Sequence, residues 1–230
     1  MEIPTDITDF LHWIKAQTET FWTHPQDSGA ASKCPKWAQN AKWIGLEETE
    51  IDGMEQKYQL KFTPDHRAFL RILHTLDKAQ PVSYYEDDSE EPKTRLESFF
   101  HDWRDEKSIR ERLNWVAESM IWSIEQGDWL ECFGQKPETA PEQLQILENW
   151  LQKAPKLVPI FGHRFIISEP CEAGNPVLSV YGLDAIVYGW DLRDYLLNEL
   201  KPILRLKPNV LARNNPAKSV KIPFWDDILG

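Results

Sequence analysis

The chain has 230 residues, of which 41% are hydrophobic and 12% aromatic, with 11 tryptophans and a formal net charge of -11. That apolar share is ample for a packed core and excludes a chain disordered throughout. The acidic balance excludes the basic stripe of a nucleic-acid binder and the polybasic patch of a protein docked on anionic membrane, and leaves a basic partner, drawn in by charge, as the complementary class.

In chain order, Asp6–Thr23 predicts a first helix, because Ile7, Phe10, Leu11, Ile14, Phe21 and Trp22 recur at helical spacing and Thr5 or Asp6 can cap it. His24–Lys42 is polar and rich in turn residues and predicts a loop, pinned to the body by Trp37 and Trp43. Glu47–Tyr58 is a weaker helical segment, interrupted by Gly53. Thr63-Pro64-Asp65 opens the next helix with a capping residue, a proline in the first position and an acid in the first turn. Phe69, Leu70, Ile72, Leu73 and Leu76 form its buried side, and His66 and His74 are expected at the surface or in caps. Their separation of eight residues is too long for the i, i+4 spacing of a helical metal pair.

Gln80–Thr94 predicts a loop with an acidic centre, Glu86-Asp87-Asp88-Ser89-Glu90-Glu91, whose like charges repel. It has two readings, a solubilising loop and a docking arm for a basic partner, and it lacks EF-hand spacing. Arg95–Trp103 and Glu106–Val116 predict helices. Met120–Ile124 and Trp129–Phe133, on either side of Glu125-Gln126-Gly127-Asp128, predict a hairpin. Pro141–Leu151 predicts a helix with Leu144, Leu147 and Leu151 as its stripe, ended by Pro155.

The stretch Pro155–Lys201 organises the rest. Leu157–Phe161, Arg164–Ser168, Val177–Tyr181 and Ala185–Tyr188 are short apolar runs between turn signals and predict strands. Gly162-His163 suits a two-residue hairpin loop and Gly182-Leu183-Asp184 a slightly longer one. Glu169–Pro176 is a loop. Trp190–Leu200 sets Leu192, Tyr195, Leu196 and Leu200 at helical spacing, so a β-meander closes with a helix packed on it. Ile203–Gly230 is irregular and the most basic piece, and its Phe224-Trp225 end is expected to dock back on the body. The expected fold class is α+β: a single domain, 1–230, with a central mainly antiparallel meander flanked by helices. Within it, 1–94 is a helical part with loops, 95–201 the sheet core with its closing helix, and 202–230 the tail.

Three segments of this stretch, P-I-F-G-H-R-F, G-N-P-V-L-S-V-Y and D-A-I-V-Y-G-W-D-L-R-D-Y-L, resemble the C-terminal signature of the SUKH superfamily. The segment F-T-P-D-H-R-A-F-L-R-I-L-H resembles its N-terminal Pro-led helix, and Phe133-Gly134-Gln135-Lys136-Pro137 stands where relatives carry W-G-x-x-P, with Phe in place of Trp. The superfamily includes a fungal cell-wall-synthesis regulator and many bacterial immunity proteins that neutralise toxins. The resemblance therefore implies an immunity-type protein that sequesters a cognate toxin, with a regulatory or scaffold protein as the alternative.

The chemistry-bearing residues are sparse. Cys34, Cys132 and Cys171 form no CxxC pair, so neither a zinc ribbon nor a redox motif is present. No run approaches the ~18 apolar residues of a membrane span, and MEIPTDITDF lacks the basic and apolar parts of a signal peptide; the expected compartment is the cytoplasm. Phosphate-binding glycine loops and G-x-S-x-G are absent. A nucleophile–base pair could be drawn only from Cys171, His163 and one of Glu169, Glu172 or Asp184, which must converge in space to act. The expectation is a non-catalytic protein-binding module with no cofactor, no metal, no nucleic acid and no membrane. Its candidate contact residues are Asp87, Asp88, Glu90 and Glu91 in the acidic run, Glu169, Glu172 and Asn175 in the loop between strands, and Tyr181, Tyr188 and Trp190 near strand ends. The loop has a plainer reading too, in which Gly174-Asn175-Pro176 only sets a turn and Asn175 bonds local backbone.

Overall fold

Asp6 starts the fold: its carboxylate accepts from the N–H groups of Thr8 and Asp9 at 2.9 and 3.0 Å, so α1, Ile7–Thr23, begins with two otherwise orphan donors satisfied. The computed structural model describes residues 2–24, 34–85, 91–204, 206, 222 and 224–228. Beyond α1, strand β1, Trp43–Ile44, pairs antiparallel with β2, Thr75–Leu76. Between them lie α2, Glu48–Tyr58, opened by a Glu47/Glu50 capping box, and α3, Pro64–Leu73, opened by Thr63 and Pro64. Trp43 is buried and its indole donates to the Thr18 hydroxyl at 2.7 Å, and half-buried Trp37 packs on Phe99, so both pin the loop as expected.

The next two segments differ from their sequence expectation. Gln80–Tyr84 and Lys93–Glu97 form an antiparallel hairpin, β3 and β4, where a loop and the start of a helix were expected. Cross-strand pairs decide it: Val82 opposes Arg95, Tyr84 opposes Lys93, and the Arg95 guanidinium sits 5.1 Å over the Tyr84 ring. A helix at Arg95–Trp103 would turn Leu96, Phe99, Phe100 and Trp103 inward; Leu96, in β4, is 72% exposed instead, while the three aromatic residues do face inward, from irregular chain. Phe99 and Phe100 pack on Trp43, and Trp103 packs edge-on against Phe62.

Helix α4 runs over Glu106–Glu125, through the first half of the hairpin expected at Met120–Phe133. Ile109, Val116, Met120, Ser123 and Ile124 are all buried from it, so the period of the segment is helical, and Glu131–Phe133 is a 3-10 turn instead of a strand. Helix α5, Ala140–Leu151, follows.

The meander forms as the sequence indicates: β5 Leu157–Phe161, β6 Arg164–Ile167, β7 Val177–Tyr181 and β8 Asp184–Gly189, antiparallel in chain order. Tyr181 pairs with Asp184, so the last hairpin has a two-residue loop, Gly182-Leu183. Helices α6, Leu192–Glu199, and α7, Lys201–Leu204, close the sheet. The architecture is α+β, with the meander as the central layer.

Alternation along the strands splits the core in two. Val158, Ile160, Ile166 and Val177 join a cluster with α1, α3 and α6. Phe165, Ile167, Leu178 and Val180 join a second with Val116, Met120 and Ile124 of α4, Leu147 of α5, and Ile222, Trp225 and Ile228. The described part of the tail therefore docks as expected: Trp225 is buried and donates to the Pro155 carbonyl at 3.2 Å. No helix among the described residues is long and apolar enough to cross a membrane.

The seating of α6 depends on Gly189. A Cβ there would lie 2.7 Å from the Cα, Cβ and N of Tyr195, whose side chain is fully buried. Gly189→Ala must push α6 off the sheet, and overpacking of this kind costs about 1–3 kcal/mol. Urea unfolding should show the midpoint lowered by that amount, whereas Gly53→Ala, where nothing lies within 4 Å of the added carbon, should leave stability unchanged or raise it.

Candidate functional site

The predicted contact residues divide between the two ends of the meander. Asp87, Asp88 and Glu90 lie outside the described residues, and Glu91 is exposed just ahead of β4. Glu169 and Glu172 are exposed on the loop that joins β6 to β7 at one end. Tyr181, 58% exposed, stands at the other end, between the rings of Trp115 and His163 at 5.9 and 6.2 Å. The structure therefore does not place Tyr181 beside the loop. Tyr188 is half-buried under the Arg164 guanidinium at 4.3 Å and against Tyr195, and Trp190 is half-buried with its backbone N–H donating to Asp194 at 3.0 Å. Both are held by packing.

The loop itself is riveted down. The Asn175 side-chain amide donates to the carbonyls of Ile167 and Pro170 at 2.8 and 2.7 Å. Asp65, buried in the first turn of α3, accepts from the Gly174 N–H at 2.9 Å and from the Thr63 hydroxyl at 2.6 Å. The plainer reading of Gly174-Asn175-Pro176 is the one these bonds support. Asn175→Ala should then cost about 1 kcal/mol of stability, the usual net loss for hydrogen bonds at part-buried and exposed positions, read as a lowered denaturation midpoint; Glu172→Gln, at an exposed position, should leave it within ~0.5 kcal/mol.

The Cys171–His163 pair does not come together. Cys171 is in this loop and His163 at the opposite hairpin tip, separated by the four residues of β6, roughly 13 Å at ~3.3 Å per residue. Among the groups with displaced pKa values are Glu50 and Glu106, surface carboxylates held down by their ion pairs, and a set of histidines displaced by burial. His66 and His74, expected at the surface, are fully buried. Burial pushes His66 down to about 3, among Phe62 and Phe69, with both ring nitrogens unpartnered. His74 goes to about 4, again by burial, with its Nε2 accepting from the Trp103 N–H at 2.8 Å. His101 goes to about 4 through burial and then through Arg112. Spacing alone carries no sign of this burial, since an i, i+8 pair lies on one helix face whether that face is wet or dry.

A second polar cluster sits between the sheet and α6. Burial raises the Tyr195 hydroxyl well above its usual value, with Glu199 adding to it, and burial raises the Glu199 carboxyl against the opposing pull of Arg164 and Tyr188. Tyr195 Oη, Glu199 Oε2 and Arg164 Nε all lack a partner. No group of three or more His, Cys, Asp or Glu suited to a metal occurs among the described residues.

The feature that sequence reasoning missed is the outer face of α4 and α5. Between Leu113 and Trp150 stand Glu118, Glu125, Asp128, Glu131, Glu138, Glu142 and Glu148 against Lys136 alone, a surplus of six negative charges out of the net -11. All seven carboxylates are exposed, and none is in an ion pair among the described residues. Lys136 donates to the Gly127 carbonyl at 2.7 Å. The acids of α2 contrast with them. Glu48 and Asp52 pair with Arg67 at 2.5 and 2.7 Å, Glu50 with Arg104 at 2.8 Å, and Glu55 with Lys61 at 2.7 Å. Amid the unpaired acids, Trp122 is 54% and Ile121 36% exposed. Beside them a groove of about 560 Å³ runs between the two helices, lined by Ala117, Ile121, Pro141, Leu144, Gln145, Leu147, Glu148, Leu151 and Gln152. A charge count over this segment would have found the surface; the expected hairpin at Met120–Phe133 concealed it.

Set against family models, curated proteins and solved structures, the chain matches none.

The three buried histidines set the acid response. Their ordinary value is 6.5, so below that pH the unfolded chain binds protons that the folded chain refuses. Stability falls from about pH 6.5 downward, by at most ~1.4 kcal/mol per pH unit for each histidine, until pH reaches each folded value. Urea titrations at pH 7, 6 and 5 should show this loss, and His66→Leu should remove about one proton's share of the slope. An unchanged slope in that variant would mean that His66 is not held neutral by burial.

Proposed function

We propose that this protein is a non-catalytic protein-binding module whose contact surface is the outer face of α4 and α5. The observation that carries the reading is the exposed Trp122–Ile121 pair beside an apolar groove, set among seven exposed, unpaired carboxylates. Large aromatics at the centre of an interface supply most of its affinity, while a rim of one sign supplies on-rate and partner selection. The matching partner presents an apolar knob surrounded by Lys and Arg. Nuclease toxins need basic substrate clefts, so the immunity-type role implied by the SUKH resemblance is compatible with this surface. In that role the chain occludes the cleft and does no chemistry. The reading moves the docking site from the Asp87–Glu91 run to α4 and α5.

The test is retention of a basic protein from host lysate by the wild-type chain, followed by purification of the pair and measured kinetics. Trp122→Ala should weaken the complex by at least ~30-fold, mainly through faster dissociation, as a hot-spot residue does. Glu118→Gln with Glu148→Gln should slow association and flatten its salt dependence. Because these side chains are exposed, the variants should keep the wild-type melting temperature. Kinetics unchanged in both variants would sink the assignment of this face.

A further inference from the structure

On the side of the molecule where β5 ends the sheet, the two cores meet and leave a cleft of about 460 Å³. Its apolar lining includes Leu113, Leu151, Leu157 and Trp225, drawn from both cores. The Trp225 N–H is already engaged by the Pro155 carbonyl, so this ring offers the cleft only apolar surface. Among the described residues, the charged ones in the lining are Lys57, Arg110 and Lys156, with no carboxylate. In a chain with 37 acids and 26 bases this is the reverse of the overall balance.

The charges are not cancelled in place. Glu106, near the rim, is shared by Lys57 at 2.7 Å and Arg110 at 2.8 Å, so one carboxylate answers two cations. Both cations also flank the Tyr58 ring at 5.6 Å, which holds them at the mouth. Arg110 uses Nε and Nη2 on Glu106, which leaves Nη1 for another acceptor. Lys156 gives one donor to the Gln59 carbonyl at 3.1 Å and keeps two. The mouth thus carries a surplus of two positive charges with donors to offer, above a floor of aliphatic side chains and one indole.

We infer that this cleft binds a small amphiphilic anion, with its carboxylate among Lys57, Arg110 and Lys156 and its hydrocarbon body along Leu113, Leu151, Leu157 and Trp225. The volume lies within the ~300–1,000 Å³ of small-ligand pockets, where an apolar lining with a few placed polar groups is the usual design. The cations fix the orientation, and burial of the hydrocarbon supplies the rest of the affinity. The site is separate from the acidic face and does not rest on the protein-binding reading.

Isothermal titration of the full chain with decanoate tests it, with decanol and decylammonium as the neutral and cationic controls of equal length. Decanoate should bind one to one, at least ~10-fold tighter than either control, a difference of about 1.4 kcal/mol. Lys57→Gln with Lys156→Gln should weaken decanoate by at least ~10-fold and leave decanol unchanged. Both lysines are exposed, so folding is preserved and is checked by the melting temperature. Trp122→Ala should leave decanoate binding as in the wild type. Equal affinity for decanoate and decanol, decanoate affinity unaffected by the lysine substitutions, or no saturable binding below millimolar decanoate would each overturn the assignment.

Discussion

A four-stranded meander with apolar side chains on both faces cannot stand in water on either side. Phe165 and Ile167 point one way and Ile166 the other, all buried, and Val177 and Leu178 divide in the same manner. Strands of this kind demand two covering layers, and the order of the helices in the chain follows from that demand. The N-terminal helices and the closing α6 take one face; α4, α5 and the docked Trp225 take the other. Helix α4 serves both, with Ile109 in the first cluster and Met120 in the second. A 20-residue helix, ~30 Å long, can bridge two layers, whereas the expected break at residue 116 would have left the second face without cover.

Two close approaches of backbone to backbone require glycine, one at the end of the meander and one beside the β1–β2 pair. Gly189 lets β8 run directly into the turn that lays α6 back on the strands. At Gly45 an added Cβ would fall 1.9 Å from the Arg71 carbonyl oxygen, so β1 can approach α3 only as glycine permits, and the Leu46 N–H reaches the Leu70 carbonyl at 2.9 Å. At the opposite end of the sheet, β5 pairs only with β6 among the described residues, and Pro159 within it removes one donor from the strand. The segment before α4 covers part of that edge through the His101 N–H to Ile160 carbonyl bond at 3.0 Å. The remainder opens on the cationic cleft, so an unfilled edge and a cavity are two aspects of one feature.

Most of the elements were legible because their signals are local. The Pro-led start of α3 and the Gly-centred tips of the meander need no information from elsewhere in the chain. What was illegible depended on contacts distant in sequence. The β3–β4 hairpin is held by cross-strand pairs such as Val82 with Arg95, and the acidic run between them reads as loop whether or not strands flank it. The helical period of Met120, Ser123 and Ile124 becomes clear only when read on from Ile109 and Val116; read alone, Met120–Ile124 beside Gly127 has the composition of a strand before a turn. His66 and His74 share the face of Phe69 and Leu73, and a polar residue type outweighed its position. For the candidate site, the loop at Glu169–Pro176 had the right chemistry for contact and proved to be a fastening, because Asn175 and Gly174 find all their partners within the molecule.

Charge placement separates the parts of the surface that serve the fold from those that face outward. On α2 each acid has a cation within 3.2 Å, and Arg67 alone answers Glu48, Asp52 and Glu55, so this face is a closed network that ties α2 to α3. Networks of this sort fix the packing of one helix on another and leave little potential to act at a distance. From Glu118 to Glu148 the seven exposed acids are in no ion pair among the described residues, unlike Glu106 and Glu111 at the start of α4, which pair with Arg110 and Lys107, and an indole is left in water beside them. Both features disfavour the isolated chain: like charges raise the energy of the compact state, and an exposed Trp forfeits apolar burial. Local violations that have no compensation within the molecule are the expected mark of a surface that finds its compensation in another one. The acids of α2 find their compensation internally and those of the outer face of α4 and α5 do not, which is why the proposed binding function is placed on the second and not on the first.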